Sequence, residues 1–255
     1  MSENKTNLII ISVFNTGSLA LAINHLTSLR NQQITNYMAF AQDENTFQTV
    51  KSLGFNVQPV SDIPFFTNEK KDFGTPDFVA MSFVRYKVIH EMLQKYDAVW
   101  YLDVDSVVLA DINQYFAKSW ASKRNVLDMV FQNDIHMICS GCVLYFSNEK
   151  TIQCTKHVYD HMNRYIPDQH FVAGMLQQNP DYFQIELMDY MDFPNGLLYF
   201  DSSDTIGVPP NLAYLKKDYN DRKGDRSPQF VHANWMVGNE KKERALRKYD
   251  LFYTK

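Results

Sequence analysis

Short apolar runs alternate with mixed polar segments along the first half of the chain. A short apolar run between polar residues is typical of a buried strand, and apolar residues at intervals of three and four are typical of a helix. The pattern predicts strands at Leu8–Phe14, Tyr37–Ala41 and Phe55–Val60, and helices at Leu19–Leu29 and Thr46–Leu53. Strands that alternate with helices through short connections predict a parallel α/β sheet.

The second half of the chain is less regular. It predicts strands or strand-like loops at Met129–Asn133, Cys142–Phe146, Phe193–Phe200 and Phe230–Asn234, and helices at Thr151–Met162 and His170–Gln177. Val79–Lys95 predicts one long helix, and the polar segment Phe65–Asp77 before it predicts a loop. Because no repeat or Pro/Ser-rich linker interrupts the chain, we expect one domain over residues 1–255, with lobes at 1–110 and 111–255.

The segment Ala98–Leu109, AVWYLDVDSVVL, carries the clearest chemical signal. A buried strand leads into Asp103-Val104-Asp105, and in an extended segment the two aspartates point to the same side. Adjacent carboxylates repel each other, and burial is costly unless a cation compensates. Carboxylate oxygens suit Mg²⁺ or Mn²⁺. The alternative is a pair of solvated aspartates at the end of a strand.

Polar residues also follow the other predicted strands of the first half. Asn15 follows the first strand and Asp43 follows the second, as Asp103 and Asp105 follow a later one. Open parallel sheets bind ligands beyond the carboxyl ends of their strands. The sequence therefore predicts one ligand site at this edge of the sheet.

Composition and charge narrow the class of protein. With 255 residues, 45% of them hydrophobic, the chain has ample material for a core. A net charge of −4 argues against a nucleic-acid-binding protein. Cys139 and Cys142 form a C-x-x-C pair without the second pair that a zinc site needs. Leu8–Phe14 is too short to span a bilayer and lacks the features of a signal peptide, so we expect a cytoplasmic protein.

These features together resemble the nucleotide-diphospho-sugar transferase family, which has the GT-A fold. The family includes plant cell-wall xylosyl-, arabinosyl- and galactosyltransferases and is distantly similar to glycogenin. The similar segments are AQDEN at Ala41–Asn45, RYK at Arg85–Lys87, YLDVDSVVL, FQND…CSG at Phe131–Gly141, Asp168-Gln169, FPNG at Phe193–Gly196 and HANWMVGNEKK at His232–Lys242. The resemblance implies a Rossmann-like, mixed but mostly parallel sheet flanked by helices.

The resemblance also implies a metal and donor site. Asp103, Asp105 and His232 would hold Mn²⁺ or Mg²⁺ against the diphosphate of a UDP-sugar. The donor site would include Phe14 and Asn15 at the base, Asp43 at the uracil or ribose, Asp103 near the ribose, Gly141 against the sugar, and Gly238 and Lys241 at the phosphates. Two of these residues have equally good structural interpretations. Asp43 is also placed to cap a helix, and Lys241 lies in a charged run that is typical of a solvated surface.

The catalytic residues implied by the resemblance are Arg85, Asp168 and Gln169. Arg85 and Lys87 lie two apart on a helix, so only one of them faces the site, and we favour Arg85. Asp168 and Gln169 would face the sugar and the acceptor, unless they form a surface turn after Pro167. The polar loop at 133–136 lines the sugar pocket in this interpretation, and the loop at Gly196 contacts the acceptor.

The predicted function is metal-dependent transfer of a sugar to a hydroxyl group, with retention of configuration. Lobe 1–110 would bind the nucleotide, and lobe 111–255 the sugar and the acceptor, which is a glycan, a lipid-linked sugar or a protein. The basic, amphipathic tail Asn239–Lys255 would be a packed helix, a lid or a membrane-surface contact. Two alternatives stay open: a phosphatase of the haloacid dehalogenase type with an aspartate nucleophile, and an inactive nucleotide- or glycan-binding protein.

Overall fold

A seven-stranded mixed sheet organises the chain in the computed structural model, which describes residues 7–61, 75–207 and 209–254. Its strands lie in the order β3-β2-β1-β4-β7-β6-β8, and β5 pairs with β9 in a separate two-stranded sheet. The strands are β1 (Leu8–Phe14), β2 (Tyr37–Ala41), β3 (Val57–Pro59), β4 (Ala98–Leu102), β5 (Ser106–Val108), β6 (Met129–Asn133), β7 (Ile138–Phe146), β8 (Ile185–Leu187) and β9 (Phe230–His232). Only β7 runs antiparallel to its neighbours in the large sheet, so the predicted mixed, mostly parallel sheet is confirmed.

Helices cover both faces of this sheet. They are α1 (Leu19–Asn31), α2 (Glu44–Ser52), α3 (Pro76–Ser82), α4 (Val84–Leu93), α5 (Ile112–Ser119), α6 (Glu149–Asp160), α7 (Asp168–Gln178), α8 (Gly196–Tyr199), α9 (Ala213–Lys223) and α10 (Asn239–Lys248). Three-residue 3₁₀ turns lie at Thr16–Ser18, Ala121–Lys123 and Pro210–Leu212. Among the described residues, none of the helices has both the length and the apolar character that a membrane span requires.

The central strand β4 is buried on both faces because successive side chains enter two different cores. Trp100 and Leu102 lie in a core with residues of α1, whereas Val99 and Tyr101 lie in a core with residues of α4 and α6. Continuous apolar runs are expected for strands covered on both faces. The sheet therefore holds the polar residues that follow β4 in a fixed position.

Most predicted elements are present, and several differ for identifiable reasons. The strands at 8–14, 37–41 and 129–133 have the predicted bounds. The helix predicted at Val79–Lys95 is divided into α3 and α4 at the fully buried Phe83. The segment Phe193–Phe200 is not strand-like but contains the short helix α8, which the side chain of Asn195 caps. The loop predicted at Phe65–Asp77 lies mostly outside the described residues, and its last two residues begin α3.

The small sheet joins the segment that follows β4 to the C-terminal part of the chain. In β5 and β9, Ser106 pairs with His232 and Val108 pairs with Phe230 in antiparallel register. The local sequence gives little sign of this pairing, because each strand has only three residues. Its consequence is that the C-terminal segment lies directly beside the Asp103–Asp105 turn.

The buried side chain of His25 contacts the residue that follows that turn. The ring of His25, on α1, is fully buried between Ser12 Oγ, 3.0 Å from Nε2, and the Ser106 carbonyl, 3.1 Å from Nδ1. The Ser106 hydroxyl donates to the carbonyl of Asp103, so it does not donate to Nδ1 as well. Nδ1–H therefore donates to the Ser106 carbonyl, and the Ser12 hydroxyl donates to Nε2. The imidazole is neutral in this arrangement.

This burial predicts a loss of stability in mild acid. Burial lowers the pKa of His25 to about 4. Below its ordinary pKa of about 6.5, the unfolded chain binds a proton at His25 that the folded chain does not, so the contribution of His25 to the free energy of unfolding falls by about 2 kcal/mol between pH 6.5 and 4.5. Urea unfolding of the wild type and His25→Gln at several pH values measures this contribution. We expect the free energy of unfolding to fall less steeply with decreasing pH in the variant than in the wild type. Equal falls in the two proteins would contradict a neutral, buried His25.

Candidate active site

Two aspartates follow β4 in a tight turn rather than in an extended segment. Asp103 N donates to the Gly141 carbonyl (2.7 Å), and β5 begins at Ser106. The alternation assumed from the sequence is therefore wrong for these residues. The turn nevertheless brings both carboxylates to one place, since both lie near the same histidine ring.

That ring belongs to His232, the last residue of β9. Its Nε2 lies 3.0 Å from Asp105 Oδ1 and 4.0 Å from Asp103 Oδ2, and its Nδ1 lies 2.9 Å from Gln132 Oε1. One ligand atom from each of Asp103, Asp105 and His232 can be chosen so that all lie within 4.8 Å of one another. Two carboxylates and an imidazole form a donor set that suits Mn²⁺. The three residues therefore fit the implied metal.

Positively charged side chains compensate both carboxylates. Arg85 NH1 lies 3.1 Å from Asp103 Oδ1, and Lys242 Nζ lies 2.6 Å from Asp105 Oδ2. The Tyr101 hydroxyl also donates to Asp103 Oδ1 (2.6 Å). These contacts explain how two adjacent carboxylates are accommodated at the edge of a buried strand.

The charges shift the protonation equilibria of the metal-binding group. Burial opposes ionisation of Asp105, but Lys242 and His232 outweigh burial and hold its pKa well below the usual range. Burial alone would lower the pKa of His232, but the Asp105 carboxylate outweighs burial and raises it. A metal ion at Nε2 would take the place of the proton that faces Asp105.

A cavity of about 340 Å³ opens beside this cluster and extends to the ends of β1 and β2. Its lining runs from polar and aromatic groups at the strand ends to the two cations beside the aspartates. The lining residues include Phe14, Asn15, Gln42, Arg85, Gly238 and Lys242. The cavity thus has a wall suited to a base at one end and positive charge suited to phosphate at the other.

Asp43 does not line this cavity. It caps α2, with Oδ1 accepting from Thr46 N (2.9 Å) and Oδ2 accepting from Thr16 N (2.8 Å). Burial would raise its pKa, but these hydrogen bonds outweigh burial and lower it. Of the two interpretations of Asp43, the structure therefore shows the helix cap. Its neighbour Gln42 lines the cavity instead, a residue that the sequence pattern did not distinguish.

Lys241 also differs from its predicted position. Its Nζ donates to the Thr205 carbonyl (3.0 Å), whereas Lys242 lies in the cavity wall against Asp105. Both lysines lie in the first turn of α10, where successive side chains are about 100° apart. The angular position of a helix relative to the sheet decides which lysine faces the site, and a charged run gives no sign of it.

The three predicted catalytic residues lie together beyond Asp103. Of the RYK basic residues, Arg85 faces the site, and Lys87 instead donates to the Ser61 carbonyl. Arg85 Nε lies 3.5 Å from Asp168 Oδ2, and the carbonyl of Ser82, at the break between α3 and α4, accepts from Nε (2.9 Å). Asp168 and the adjacent Gln169 begin α7 rather than forming a surface turn.

Asp134 connects the start of α7 with the segments around Asn195 and Asn234. Its Oδ1 accepts from Trp235 Nε1 (2.6 Å), Asn234 Nδ2 (3.1 Å) and Asn195 Nδ2 (3.2 Å), and its Oδ2 accepts from Gln169 Nε2 (3.2 Å). Burial raises the pKa of Asp134 despite these donors. Asp134 follows β6, whose carboxyl end lies at the same edge of the sheet as that of β4.

Two glycines are required by close packing around the metal-binding cluster. A Cβ on Gly141 would lie 2.3 Å from Asp103 Oδ2 and 2.6 Å from His232 Cε1, so this glycine leaves room for the two ligands. A Cβ on Gly196 would lie 2.0 Å from the Asn234 carbonyl oxygen. The Gly196 segment therefore packs against the strand that carries His232, and the acceptor contact predicted for it is not a feature of this packing.

The last described helix, α10, packs against the body of the protein. Its Ala245 and Leu246 are buried in the core that contains α1, and the following Leu251 joins them there. Gly238, with φ +90°, precedes the helix and lines the cavity. Of the alternatives for the tail, the packed helix is the one that the structure shows.

Comparisons with known proteins agree with this arrangement. The sequence profile of the nucleotide-diphospho-sugar transferase family matches residues 32–246. A search of curated protein sequences returned no match. Among solved structures, the glycosyltransferase GlyE of Streptococcus pneumoniae TIGR4 superposes with a TM-score of 0.58 at 14% identity, over 99% of this chain and 61% of that one. The present chain therefore spans about three fifths of the pneumococcal chain.

Two further structures have the same fold. A glycosyltransferase involved in glycosylation of the major capsid of PBCV-1 gives a TM-score of 0.56 at 15% identity, over 94% of this chain and 99% of that one. The galactosyltransferase LgtC, solved with donor and acceptor sugar analogues, gives 0.52 at 14% identity, over 89% of this chain and 87% of that one. At these identities the likeness shows the fold alone.

The order of the strands and the family match define a protein of the GT-A fold class. The chain belongs to the nucleotide-diphospho-sugar transferase family. The predicted family, fold class and enzyme class are thereby confirmed. The match also favours sugar transfer over the phosphatase alternative, which no feature of the family supports.

Proposed function

We propose that this protein transfers a sugar from a UDP-sugar to a hydroxyl group in a metal-dependent reaction that retains the anomeric configuration. The observation that carries the proposal is the cluster of Asp103, Asp105 and His232 beside a cavity whose opposite end is formed by Phe14 and Asn15. Arg85 and Lys242 line this cavity and contact Asp103 and Asp105, so its positively charged wall is next to the metal ligands, as a nucleoside diphosphate would require.

The metal ligands and the two cations would act on the leaving group. Mn²⁺ or Mg²⁺ held by Asp103, Asp105 and His232 would supply Lewis-acid stabilisation of the departing diphosphate. Arg85 and Lys242 line the same cavity. Their ion pairs with Asp103 and Asp105 would be partly replaced by contacts with phosphate oxygens. Charge stabilisation by groups already in place costs little reorganisation during the reaction. Gly238 would let the backbone approach the phosphates closely.

The sugar and acceptor would lie toward α7. Asp168 is buried beside Arg85, and the amide of Gln169 is fixed at both ends, with Oε1 accepting from Ser140 N (3.2 Å) and Nε2 donating to Asp134. In the proposed step, the bond between the anomeric carbon and the phosphate oxygen breaks, and the acceptor hydroxyl oxygen bonds to that carbon. The hydroxyl proton passes to the departing phosphate oxygen on the same face. Asp168 would stabilise the positive charge at the anomeric carbon.

The lobes and the acceptor belong to the same proposal. Residues 1–110 would bind the nucleotide, and 111–255 the sugar and a glycan, lipid-linked or protein acceptor. Because LgtC is a galactosyltransferase of the same fold, UDP-galactose is the first donor to test.

Thermal unfolding with a panel of nucleotide sugars tests the function. We expect one UDP-sugar to raise the midpoint only in the presence of Mn²⁺, since a ligand that binds the folded state stabilises it by mass action. Release of UDP, or transfer to a hydroxyl acceptor, would separate the enzyme from an inactive binding protein. A donor that binds equally well without metal would contradict the metal-dependent site.

The lysine pair in α10 provides a matched test of the phosphate end. Lys242→Met removes a cation from the cavity wall, and we expect the KM for the UDP-sugar to rise by about tenfold, the loss of one charge-assisted hydrogen bond. Lys241→Met is the control, because Lys241 contacts the Thr205 carbonyl outside the cavity wall. A larger effect at Lys241 than at Lys242 would contradict this assignment.

A further inference from the structure

The contact between His232 and Gln132 has a defined direction. Gln132 is fully buried on β6, where its Nε2 donates to the carbonyls of Phe193 (3.2 Å) and Pro194 (3.0 Å). With both carbonyls on one side, the amide has one favourable orientation, in which Oε1 faces His232 Nδ1 at 2.9 Å. The amide oxygen carries no proton, so Nδ1 must carry the proton of this hydrogen bond.

The other neighbour of Nδ1 does not change this assignment. Cys139 Sγ lies 3.6 Å from Nδ1, a longer contact than the 2.9 Å between Nδ1 and Gln132 Oε1. Sulfur is a weak hydrogen-bond acceptor, so the thiol is a much weaker partner than the amide oxygen. The proton stays on Nδ1, and the lone pair available for a metal is on Nε2, which faces Asp105 and Asp103.

We propose that Gln132 is the positioning residue of the metal site, because its amide fixes the tautomer and the orientation of the His232 ring so that Nε2 faces the metal. This inference rests on the proposed metal-dependent function and assigns a role to a residue that does not contact the metal. Ligating histidines commonly donate their second N–H to such a partner, and loss of the partner typically lowers metal affinity by about 10–100-fold.

The same contacts assign a role to the FPNG segment. Phe193 and Pro194 orient the Gln132 amide through their carbonyls, and Gly196 N donates to Asn234 Oδ1 (2.6 Å), two residues beyond His232. The segment thus contacts both the Gln132 amide behind the His232 ring and the residues that follow His232 in the chain. It would therefore support the metal site structurally.

A double-mutant cycle on Mn²⁺ affinity tests the inference without measuring turnover. Binding of Mn²⁺, alone and with UDP, is followed by electron paramagnetic resonance for the wild type, Gln132→Met, His232→Gln and the double variant. We expect Gln132→Met to weaken binding by about 10–100-fold. In the His232→Gln background the same change should have almost no effect, because Gln132 acts through the ring.

The outcomes separate this inference from the proposed function. Normal Mn²⁺ affinity in Gln132→Met, or an equal loss in both backgrounds, would overturn the role of Gln132 and leave the metal site intact. No Mn²⁺ binding by the wild type, with or without UDP, would overturn both. If Gln132→Met does not fold, nitrogen NMR of ¹⁵N-histidine in the wild type decides instead. With diamagnetic Cd²⁺ bound, the proton should be on Nδ1 and the metal on Nε2, and the reverse would overturn the inference.

Discussion

Asp105→Asn is expected to lower sugar transfer by about a thousandfold while the chain stays folded. The change removes the carboxylate that His232 Nε2 and Lys242 Nζ approach at 3.0 and 2.6 Å. A neutral amide is a poor ligand for Mn²⁺ beside a diphosphate, and loss of metal assistance costs several kcal/mol, where about 1.4 kcal/mol is a factor of ten in rate. Turnover and Mn²⁺ binding should fall together.

The fold should survive Asp105→Asn because the remaining charges can adjust. Lys242 lies in the wall of an open cavity and can turn to solvent, and His232 can lose a proton once its charged partner is gone. Asp111→Asn is the matched control, because Asp111 caps α5, where asparagine caps equally well. A folded Asp105→Asn protein with full metal-dependent turnover would contradict the proposed metal site.

Gly196→Ala should produce the largest loss of stability among the glycine variants of the site. The added Cβ would lie 2.0 Å from the Asn234 carbonyl oxygen and 3.1 Å from that of His232. Both atoms belong to the backbone, so no side-chain rotation relieves the overlap, and α8 must move away from the segment that carries His232. We expect the free energy of unfolding to fall by about 3 kcal/mol, the upper part of the usual range for overpacking.

Urea and thermal unfolding measure the Gly196 effect. The midpoint of thermal unfolding should fall by about 6–12 °C for a chain of this size. Gly174→Ala is the control, because a Cβ at Gly174, inside α7, meets no atom within 4 Å. It should raise stability by about 0.5–1 kcal/mol, as alanine replaces glycine in a helix. Equal stability of Gly196→Ala and the wild type would show that the two segments are not closely packed.

Errors of the sequence interpretation arise where burial overrides local pattern. Phe193–Phe200 has aromatic residues at both ends and was interpreted as strand-like, yet the Asn195 cap starts a short helix in its middle. Val79–Lys95 has helical spacing throughout, but its division at Phe83 depends on how that ring is buried in the core. Neither outcome follows from hydrophobic spacing, because the first depends on the local Asn195 cap and the second on contacts with distant elements.

Local pattern by itself determined the strands whose carboxyl ends carry the first residues of the site. The apolar runs at 8–14 and 37–41 are long and uniform enough to define buried strands, and polar residues follow them directly. The aspartate pair after β4 could be interpreted from residue chemistry, since two carboxylates require compensation wherever they lie close together. Resemblance of the motifs supplied the third ligand, His232.

Only the tertiary structure decided which of several neighbouring polar residues face the site. Lys242 rather than Lys241, Gln42 rather than Asp43, and Gln132 behind His232 follow from helix rotation, capping and contacts across the sheet. The sequence determined which residue types are available at the edge of the sheet, because local patterns fix strands and their ends. The fold decided their partners, because hydrogen bonds and ion pairs form between segments that lie as many as 229 residues apart.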